Sequence, residues 1–180
     1  MDVDGVLTDG QILLDDRGVE TQVFDVQDGS GIIYLQRAGI KTAIITGRNV
    51  KATRHRTKQL MITEVHQDAG EKTKSLEKIL CKYKISANQI CYVGDDLPDI
   101  PVMKRVGYAV AVRNARPEVK RHAHYITKLP GGRGARRIHG TEGDSSIFQE
   151  ILRRQIRLWR THSTHPGPDS GLGARHQPGL

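Results

Sequence analysis

Three short apolar runs constrain the fold of this chain more than any other feature of its sequence. Each is continuous rather than alternating in polarity, which is typical of strands buried on both faces of a parallel sheet. The runs lie at residues 42–46, 90–94 and 108–112, and helical patterns lie at 31–38, 49–60 and 72–83. Strands that alternate with helices predict an α/β fold with a doubly wound parallel sheet of Rossmann type.

Residues 11–24 depart from this alternation and predict a β-hairpin. Segments at 12–14 and 19–24 flank a polar turn that contains Gly18, as in two short antiparallel strands. The hairpin and one helix fill the interval between Asp4 and Thr46. We therefore expect a hairpin insertion and no separate cap domain.

The composition excludes several classes of protein. No run approaches the roughly 18 apolar residues of a membrane span, and two cysteines, Cys81 and Cys91, are too few for a disulfide scaffold or a four-cysteine zinc site. The first residues are Met-Asp-Val-Asp rather than a basic and then apolar leader, so no secretory signal is expected. The cytoplasm is the simplest compartment for such a chain.

Residues 136–180 differ in composition from the rest of the chain. The net charge is +8, every Lys or Arg after Lys128 is an arginine, and the last residues are rich in Gly and Pro. This pattern predicts a folded domain over 1–135 and an atypical tail with a short helix at 146–159 and a disordered end. The charge alone raises the alternative of nucleic-acid binding. Trp159 is the only aromatic residue of this segment that is next to a basic residue. A surface on which bases could stack is therefore poorly supported, and no nucleic-acid partner is expected.

Acidic clusters fall where an open α/β sheet binds ligands, beyond the carboxyl ends of its strands. Asp95 and Asp96 follow the second apolar run, and Asp2 and Asp4 would follow a strand if one preceded them. Adjacent carboxylate clusters repel each other unless a cation lies between them, and their hard oxygen atoms suit Mg²⁺. A carboxylate in that position can also attack phosphorus and form an aspartyl phosphate.

Each of these residues also has an ordinary structural explanation. Thr46 and Lys72 can donate hydrogen bonds and positive charge to phosphoryl oxygens, but a threonine after a strand can also cap a helix, and a lysine is usually solvated. An Asp-Gly pair such as Asp4-Gly5 is usually a turn. The combination of all these residues, in one order on one α/β frame, indicates a phosphoryl-transfer site.

The ordered set resembles the haloacid dehalogenase superfamily of phosphotransferases. Its four motifs are matched by DVDGVLTDG at residues 2–10, TGR at 46–48, Lys72 and GDDLPD at 94–99. A narrower resemblance is to the phosphatases that act on 3-deoxy-D-manno-octulosonate 8-phosphate (KDO 8-phosphate). It depends on DVQDG at 25–29 and PGGRG at 130–134, and it covers residues 2–135.

The resemblance implies roles for the residues at the centre of the site. Asp2 is the expected nucleophile. Asp4 is the expected acid that protonates the leaving sugar oxygen, and afterwards the base that activates water. Mg²⁺ would be held by the Asp2 carboxylate, the Asp4 backbone carbonyl and Asp95. Thr46 and Lys72 would hold the oxygens of the transferring phosphoryl group.

Further residues are expected to support this centre or to bind the sugar acid. Asp99 would orient the motif lysine or a metal-bound water, with Asp96 as a more distant supporting residue. Gly47, Arg48 and Arg133 are candidates for substrate binding, because a guanidinium can bind a carboxylate with two hydrogen bonds. For Arg133, an ordinary surface arginine is the alternative.

The sequence therefore predicts a Mg²⁺-dependent phosphatase for KDO 8-phosphate, a step of lipopolysaccharide sugar synthesis. The alternatives are a phosphatase for a sialic-acid-type 9-phosphate, and a non-catalytic oligomerisation domain or inactive fragment of the same fold. The resemblance also implies a homotetramer in which neighbouring hairpins form the mouth of the site. The family nucleophile follows a buried central strand, whereas only Met1 precedes Asp2, so we expect the true start to lie upstream.

Overall fold

This computed structural model describes residues 1–134, which contain seven short strands, five α-helices and two short 3-10 helices. The strands are β1 Leu13–Leu14, β2 Glu20–Thr21, β3 Ala43–Ile45, β4 Glu64–His66, β5 Cys91–Gly94, β6 Tyr108–Ala111 and β7 Tyr125–Ile126. The helices are α1 Val26–Arg37, α2 Lys51–Gln59, α3 Lys72–Tyr83, α4 Ile100–Met103 and α5 Pro117–Lys120. The predicted tail, with its helix at 146–159, lies outside the described residues.

Strands β3 to β7 pair with their neighbours in parallel, which confirms the predicted α/β class. β3 pairs with β4, so that Ile44 lies opposite Val65. β6 lies between β5 and β7 and is parallel to both, with Val93 opposite Val110. Helices connect these strands, as the crossover of a parallel pair requires.

The main chain of Met1 and Asp2 lies between β3 and β5. The Met1 ammonium group donates to the Ala43 carbonyl at 3.0 Å, and the Ile45 N–H donates to the Met1 carbonyl at 2.9 Å. On the other side, the Asp2 N–H donates to the Val93 carbonyl at 3.0 Å. These two residues therefore hold the two parts of the sheet together at its centre.

A cavity of about 330 Å³ lies beyond Met1, between the amino-terminal ends of β3 and β5. Its walls are mostly apolar and include Leu35 of α1 together with Leu76 and Ile79 of α3. The cavity is therefore flanked by the backbones of two strands and covered by apolar side chains. An extended apolar segment has the shape and chemistry that such a space accepts.

Local sequence signals explain where two helices begin and end. α3 spans the predicted residues because Leu76 and Ile79 face the core at helical spacing. α1 begins earlier than the predicted 31–38 because Asp25 caps it, its Oδ1 accepting from the Gln27 N–H at 2.6 Å. The cap adds more than a turn to the start of this helix.

The strand β4 is absent from the sequence prediction because it is short and polar. Glu64 is buried in it, and its carboxylate accepts hydrogen bonds from Lys82, from the Tyr83 hydroxyl and from His66. Burial raises the pKa of Glu64, but these three partners outweigh burial and lower it. A carboxylate with this many partners can occupy a buried strand.

The segment 11–24 forms an antiparallel pair in which Leu13 lies opposite Thr21. Each strand is only two residues long, and the turn between them includes Gly18 at φ +73°. Leu13 and Leu14 remain 44% and 63% exposed.

Within residues 1–134, no helix has both the length and the apolar character needed to cross a bilayer.

Candidate active site

The first residues leave the sheet in a tight turn that ends against the Asp95 loop. The Leu7 N–H donates to the Val3 carbonyl at 2.8 Å and closes this turn. Gly5 has φ +79°, and a Cβ at this position would lie 2.0 Å from Asp95 Oδ2. Glycine is therefore required both by the backbone conformation and by the close approach of the two loops.

A buried lysine lies between two carboxylates at the centre of the site. Lys72 is the first residue of α3, and its Nζ lies 2.8 Å from Asp2 Oδ2 and 2.7 Å from Asp99 Oδ1. Burial lowers the pKa of Lys72, but the two carboxylates outweigh burial and raise it. Lys72 is therefore a fixed positive charge beside Asp2.

Asp99 connects three parts of the site and is fully buried. Its Oδ1 accepts from Lys72 and from the Tyr92 hydroxyl, each at 2.7 Å. Its Oδ2 accepts from the N–H groups of Asp95 and Asp96 at 2.9 and 3.2 Å. Both oxygens are thus committed to protein donors, and Asp99 fixes the lysine and the Asp95 loop relative to each other.

Asp2 and Asp95 each direct one unpartnered oxygen into a buried space. Among residues 1–134, the buried Oδ1 atoms of Asp2 and Asp95 accept no hydrogen bond. Oxygens of Asp2, Asp95 and Asp99 lie within 4.8 Å of one another. Because the Asp99 oxygens are already occupied by donors, Asp2 and Asp95 are the carboxylates of this group that fit a hard cation.

The electrostatics of these two carboxylates also fit a cation. Burial and the neighbouring Asp99 raise the pKa of Asp2 to about 6, although Lys72 opposes this shift. Burial and the charges of Asp2 and Asp99 raise the pKa of Asp95 to about 8. A divalent cation would remove this repulsion, and the donor set of carboxylate oxygens suits Mg²⁺.

Arg48 lies where the hairpin meets the first turn. Its Nη2 is 2.5 Å from Glu20 Oε2, and its Nη1 is 3.9 Å from Asp4 Oδ1. The Gln22 side-chain amide also donates to Asp4 Oδ1, at 2.9 Å. Glu20 and Gln22 belong to the hairpin, so the hairpin forms one wall around Asp4 and Arg48.

Thr46 and Gly47 follow β3 at the same edge of the sheet. Thr46 is buried, and its Oγ1 accepts from the Arg48 N–H at 3.3 Å. The Thr46 carbonyl accepts from Ala69 and its N–H donates to His66, which fixes the residue between the ends of β3 and β4. Its hydroxyl hydrogen remains able to donate to a ligand, while Gly47 is exposed beside it.

Asp96 and Arg133 lie at the margin of the site. The Asp96 carboxylate accepts from the Leu97 N–H at 2.8 Å and caps the 3-10 turn that follows. Arg133 is largely exposed, with its Nη2 3.6 Å from Asp9 Oδ2. Both side chains therefore have protein partners away from the Asp2–Lys72–Asp99 centre. Gly132, next to Arg133, donates its N–H to the Val6 carbonyl and so holds the Arg133 loop against the first turn.

Comparison with known proteins identifies relatives over most of the chain. Residues 55–131 match the model of the haloacid dehalogenase-like hydrolase family. The 3-deoxy-D-manno-octulosonate 8-phosphate phosphatase of Yersinia pestis is 43% identical over 134 residues, which are 74% of this chain and 72% of that protein. The corresponding phosphatase of Escherichia coli K12 is 44% identical over 135 residues, 75% of this chain and 72% of that protein.

This chain belongs to the haloacid dehalogenase-like hydrolases. A crystal structure of the 3-deoxy-D-manno-octulosonate 8-phosphate phosphatase from Moraxella catarrhalis, in complex with magnesium, phosphate and KDO, superposes with a TM-score of 0.79. It is 36% identical, and the match covers 89% of this chain and 88% of that one. These findings confirm the resemblance that the four motifs indicated.

Three residues that contact the site of this hydrolase were not predicted from its sequence. Tyr92 lies in an apolar run, but its buried hydroxyl needs a hydrogen-bond partner, and this was a usable signal. Glu20 and Gln22 gave no such signal, because only folding of the hairpin brings them to Arg48 and Asp4.

Proposed function

We propose that this chain is a Mg²⁺-dependent phosphatase that hydrolyses KDO 8-phosphate to KDO and phosphate through an aspartyl phosphate on Asp2. The observation that carries the proposal is the buried array at the centre of the site. Asp2 lies against a charged lysine on one side and near Asp95 on the other, with one oxygen on each carboxylate unpartnered among the described residues. The homologous phosphatases named above provide the substrate class.

In the first step, an Asp2 oxygen attacks phosphorus as the bond between phosphorus and the sugar oxygen breaks. Asp4 gives its proton to that oxygen, so the sugar oxygen leaves as a hydroxyl group rather than as an alkoxide. In the second step, Asp4 takes a proton from water as the water oxygen attacks phosphorus. The bond from phosphorus to Asp2 then breaks, which releases phosphate and regenerates the carboxylate.

Lys72 and Thr46 stabilise the charge that moves during these steps. The Lys72 ammonium group is held by Asp99 and cannot leave the site without losing two ion pairs. Its charge and the Thr46 hydroxyl are placed to bind the equatorial phosphoryl oxygens. Mg²⁺ held by Asp2, Asp95 and the Asp4 carbonyl would supply further positive charge and reduce repulsion between the nucleophile and the phosphate.

Arg48 is the residue we propose for binding the substrate carboxylate. It is half-buried at the mouth of the site, and its guanidinium can make two parallel hydrogen bonds to a carboxylate. Glu20 occupies the guanidinium in the present structure. Substrate would therefore compete with Glu20 for this group, while Gly47 leaves the approach open.

We further propose that the hairpin is an insertion in a fold without a cap domain, and that it completes the site through a homotetramer. Ile12, Leu14 and Val19 are all more than half exposed, and an exposed apolar hairpin favours association with a second copy. Sedimentation of a monomer would overturn the tetramer. We place the enzyme in the cytoplasm, where a reducing environment keeps cysteine thiols such as that of Cys81 from forming disulfides.

A substrate panel tests the proposed function. Phosphate release is measured with KDO 8-phosphate, with a sialic-acid-type 9-phosphate and with glucose 6-phosphate, which has no carboxylate. We expect the highest kcat/KM for KDO 8-phosphate, and Arg48→Ala should remove most of its advantage over glucose 6-phosphate. A higher kcat/KM for the sialic-acid-type 9-phosphate would make that compound the substrate instead of KDO 8-phosphate. Turnover of none of the three compounds would favour a non-catalytic module.

A further inference from the structure

A chain of two hydrogen bonds connects Asp4 to the buried side of helix α2. The Gln22 Nε2 donates to Asp4 Oδ1 at 2.9 Å, and the Thr53 Oγ1 donates to Gln22 Oε1 at 2.7 Å. Thr53 is only 2% exposed and belongs to α2, whereas Gln22 directly follows β2. Two separate elements therefore fix the orientation of one amide, and that amide holds Asp4.

The two oxygens of Asp4 have different surroundings. Oδ1 receives the Gln22 amide and lies 3.9 Å from the Arg48 guanidinium. Within residues 1–134, Oδ2 has no hydrogen-bond partner, and the Asp4 side chain is 23% exposed. One oxygen is therefore held by the protein, and the other remains available to a ligand.

We propose that Gln22 is a positioning residue for Asp4 and that Thr53 keeps Gln22 in place. This inference rests on the proposed function, because Asp4 must transfer a proton for its orientation to matter. With Oδ1 held by the amide, Oδ2 is the oxygen that gives its proton to the leaving sugar oxygen and later accepts one from water. A misoriented acid loses much of its contribution, which is typically about 10²- to 10⁴-fold in rate.

The leaving group provides a readout that a purely structural role would not change. The alkoxide of a sugar is a poor leaving group and needs a proton as it departs. The p-nitrophenolate ion is a good leaving group and needs little help from an acid. Loss of Asp4 positioning should therefore reduce kcat/KM for KDO 8-phosphate and leave kcat/KM for p-nitrophenyl phosphate nearly unchanged.

The experiment compares Gln22→Met, Thr53→Val and Thr53→Ser with the wild type, all as the full chain. We expect Gln22→Met to lower kcat/KM for KDO 8-phosphate by at least about 10-fold, and that for p-nitrophenyl phosphate by less than about 3-fold. Thr53→Val should produce a smaller selective loss of kcat/KM for KDO 8-phosphate. Thr53→Ser keeps the hydroxyl and should therefore keep kcat/KM close to that of the wild type. Thr21→Val is the matched control, since Thr21 is an exposed neighbour in the same hairpin.

A double variant tests whether the two residues act in series. In the Gln22→Met background, Thr53→Val should cause no additional selective loss, because its hydroxyl acts through the amide. Equal losses with both substrates, or no loss with either, would overturn the positioning role while leaving the proposed function intact. Absence of wild-type turnover with both substrates would overturn the proposed function and this inference together.

Discussion

Asp95→Asn should stabilise the metal-free protein at alkaline pH and at the same time abolish its response to Mg²⁺. Asp95 is a buried carboxylate whose pKa is raised to about 8 by burial and by the charges of Asp2 and Asp99. At pH 8.5 the wild-type fold must hold this side chain ionised beside two other acids. Asparagine has nearly the same shape and carries no charge, so the repulsion disappears.

The sign and size of the effect follow from the pKa of Asp95. The folded state binds the Asp95 proton more tightly than the unfolded state, whose carboxyl has a pKa near 3.8. The free energy of unfolding therefore falls as pH rises from about 4 to about 8. About 1.4 kcal/mol per pH unit gives an upper bound near 6 kcal/mol. Partial solvent exposure of Asp95 reduces this, and we expect about 2–3 kcal/mol, or roughly 6–10 °C in Tm.

Thermal unfolding in EDTA at pH 5 and pH 8.5 measures this effect, with Asp96→Asn as the control. Asp96 is the exposed neighbour in the same loop. Its substitution should change the pH dependence of Tm much less than Asp95→Asn does, because its charge contributes least among the three acids that raise the pKa of Asp95. Added Mg²⁺ should raise the Tm of the wild type and not that of Asp95→Asn. The reasoning is refuted if Asp95→Asn is no more stable than wild type at pH 8.5, or if its advantage is as large at pH 5.

Three further predictions concern the centre, the mouth and the cavity. Lys72→Met should lower kcat by about 10²- to 10³-fold in a phosphate-release assay, because the phosphoryl oxygens lose a stabilising charge. It should also lower Tm, because two buried carboxylates are left without their cation. Unchanged activity would contradict the role of Lys72. Arg48→Lys should raise KM for KDO 8-phosphate about tenfold with little change in kcat, since an ammonium group cannot make the two parallel hydrogen bonds that a guanidinium makes to the substrate carboxylate. A fall in kcat with KM unchanged would contradict this prediction. An apolar tetrapeptide added ahead of Met1 should raise Tm by several degrees, because the 330 Å³ cavity accepts apolar side chains. A Gly-Ser tetrapeptide at the same place should not raise Tm. Equal Tm values for the two variants would show that the added residues do not enter the cavity.

The parts of the fold that follow local rules could be predicted from the sequence. α3 occupies the predicted residues because its apolar spacing and its burial coincide at Leu76 and Ile79. β5 and β6 lie within their continuous apolar runs. β4 could not be predicted, because burial of Glu64 depends on Lys82 and Tyr83, which lie 18 and 19 residues later, at the end of α3.

The site shows the same division between local and distant signals. The motif residues Asp2, Lys72 and Asp99 are brought into contact, because the carboxyl ends of parallel strands meet at one sheet edge. Gln22 was missed, since its contact with Asp4 depends on how the hairpin folds over the first turn. The role of Asp96 as a more distant supporting residue stays a prediction; in the structure its carboxylate accepts from the Leu97 N–H and caps the following turn.

Phosphate release from KDO 8-phosphate, with and without Mg²⁺, tests the central claim most directly when wild type and Asp2→Asn are measured together. The account predicts turnover by the wild type only when Mg²⁺ is present, and no turnover by Asp2→Asn under either condition. Asp2→Asn keeps the shape of the side chain and replaces the nucleophilic carboxylate with an amide, which is a poor nucleophile. Loss of activity in a folded variant would therefore be assigned to the missing nucleophile. Turnover by Asp2→Asn at the wild-type rate, or wild-type turnover that is unchanged in EDTA, would contradict the account.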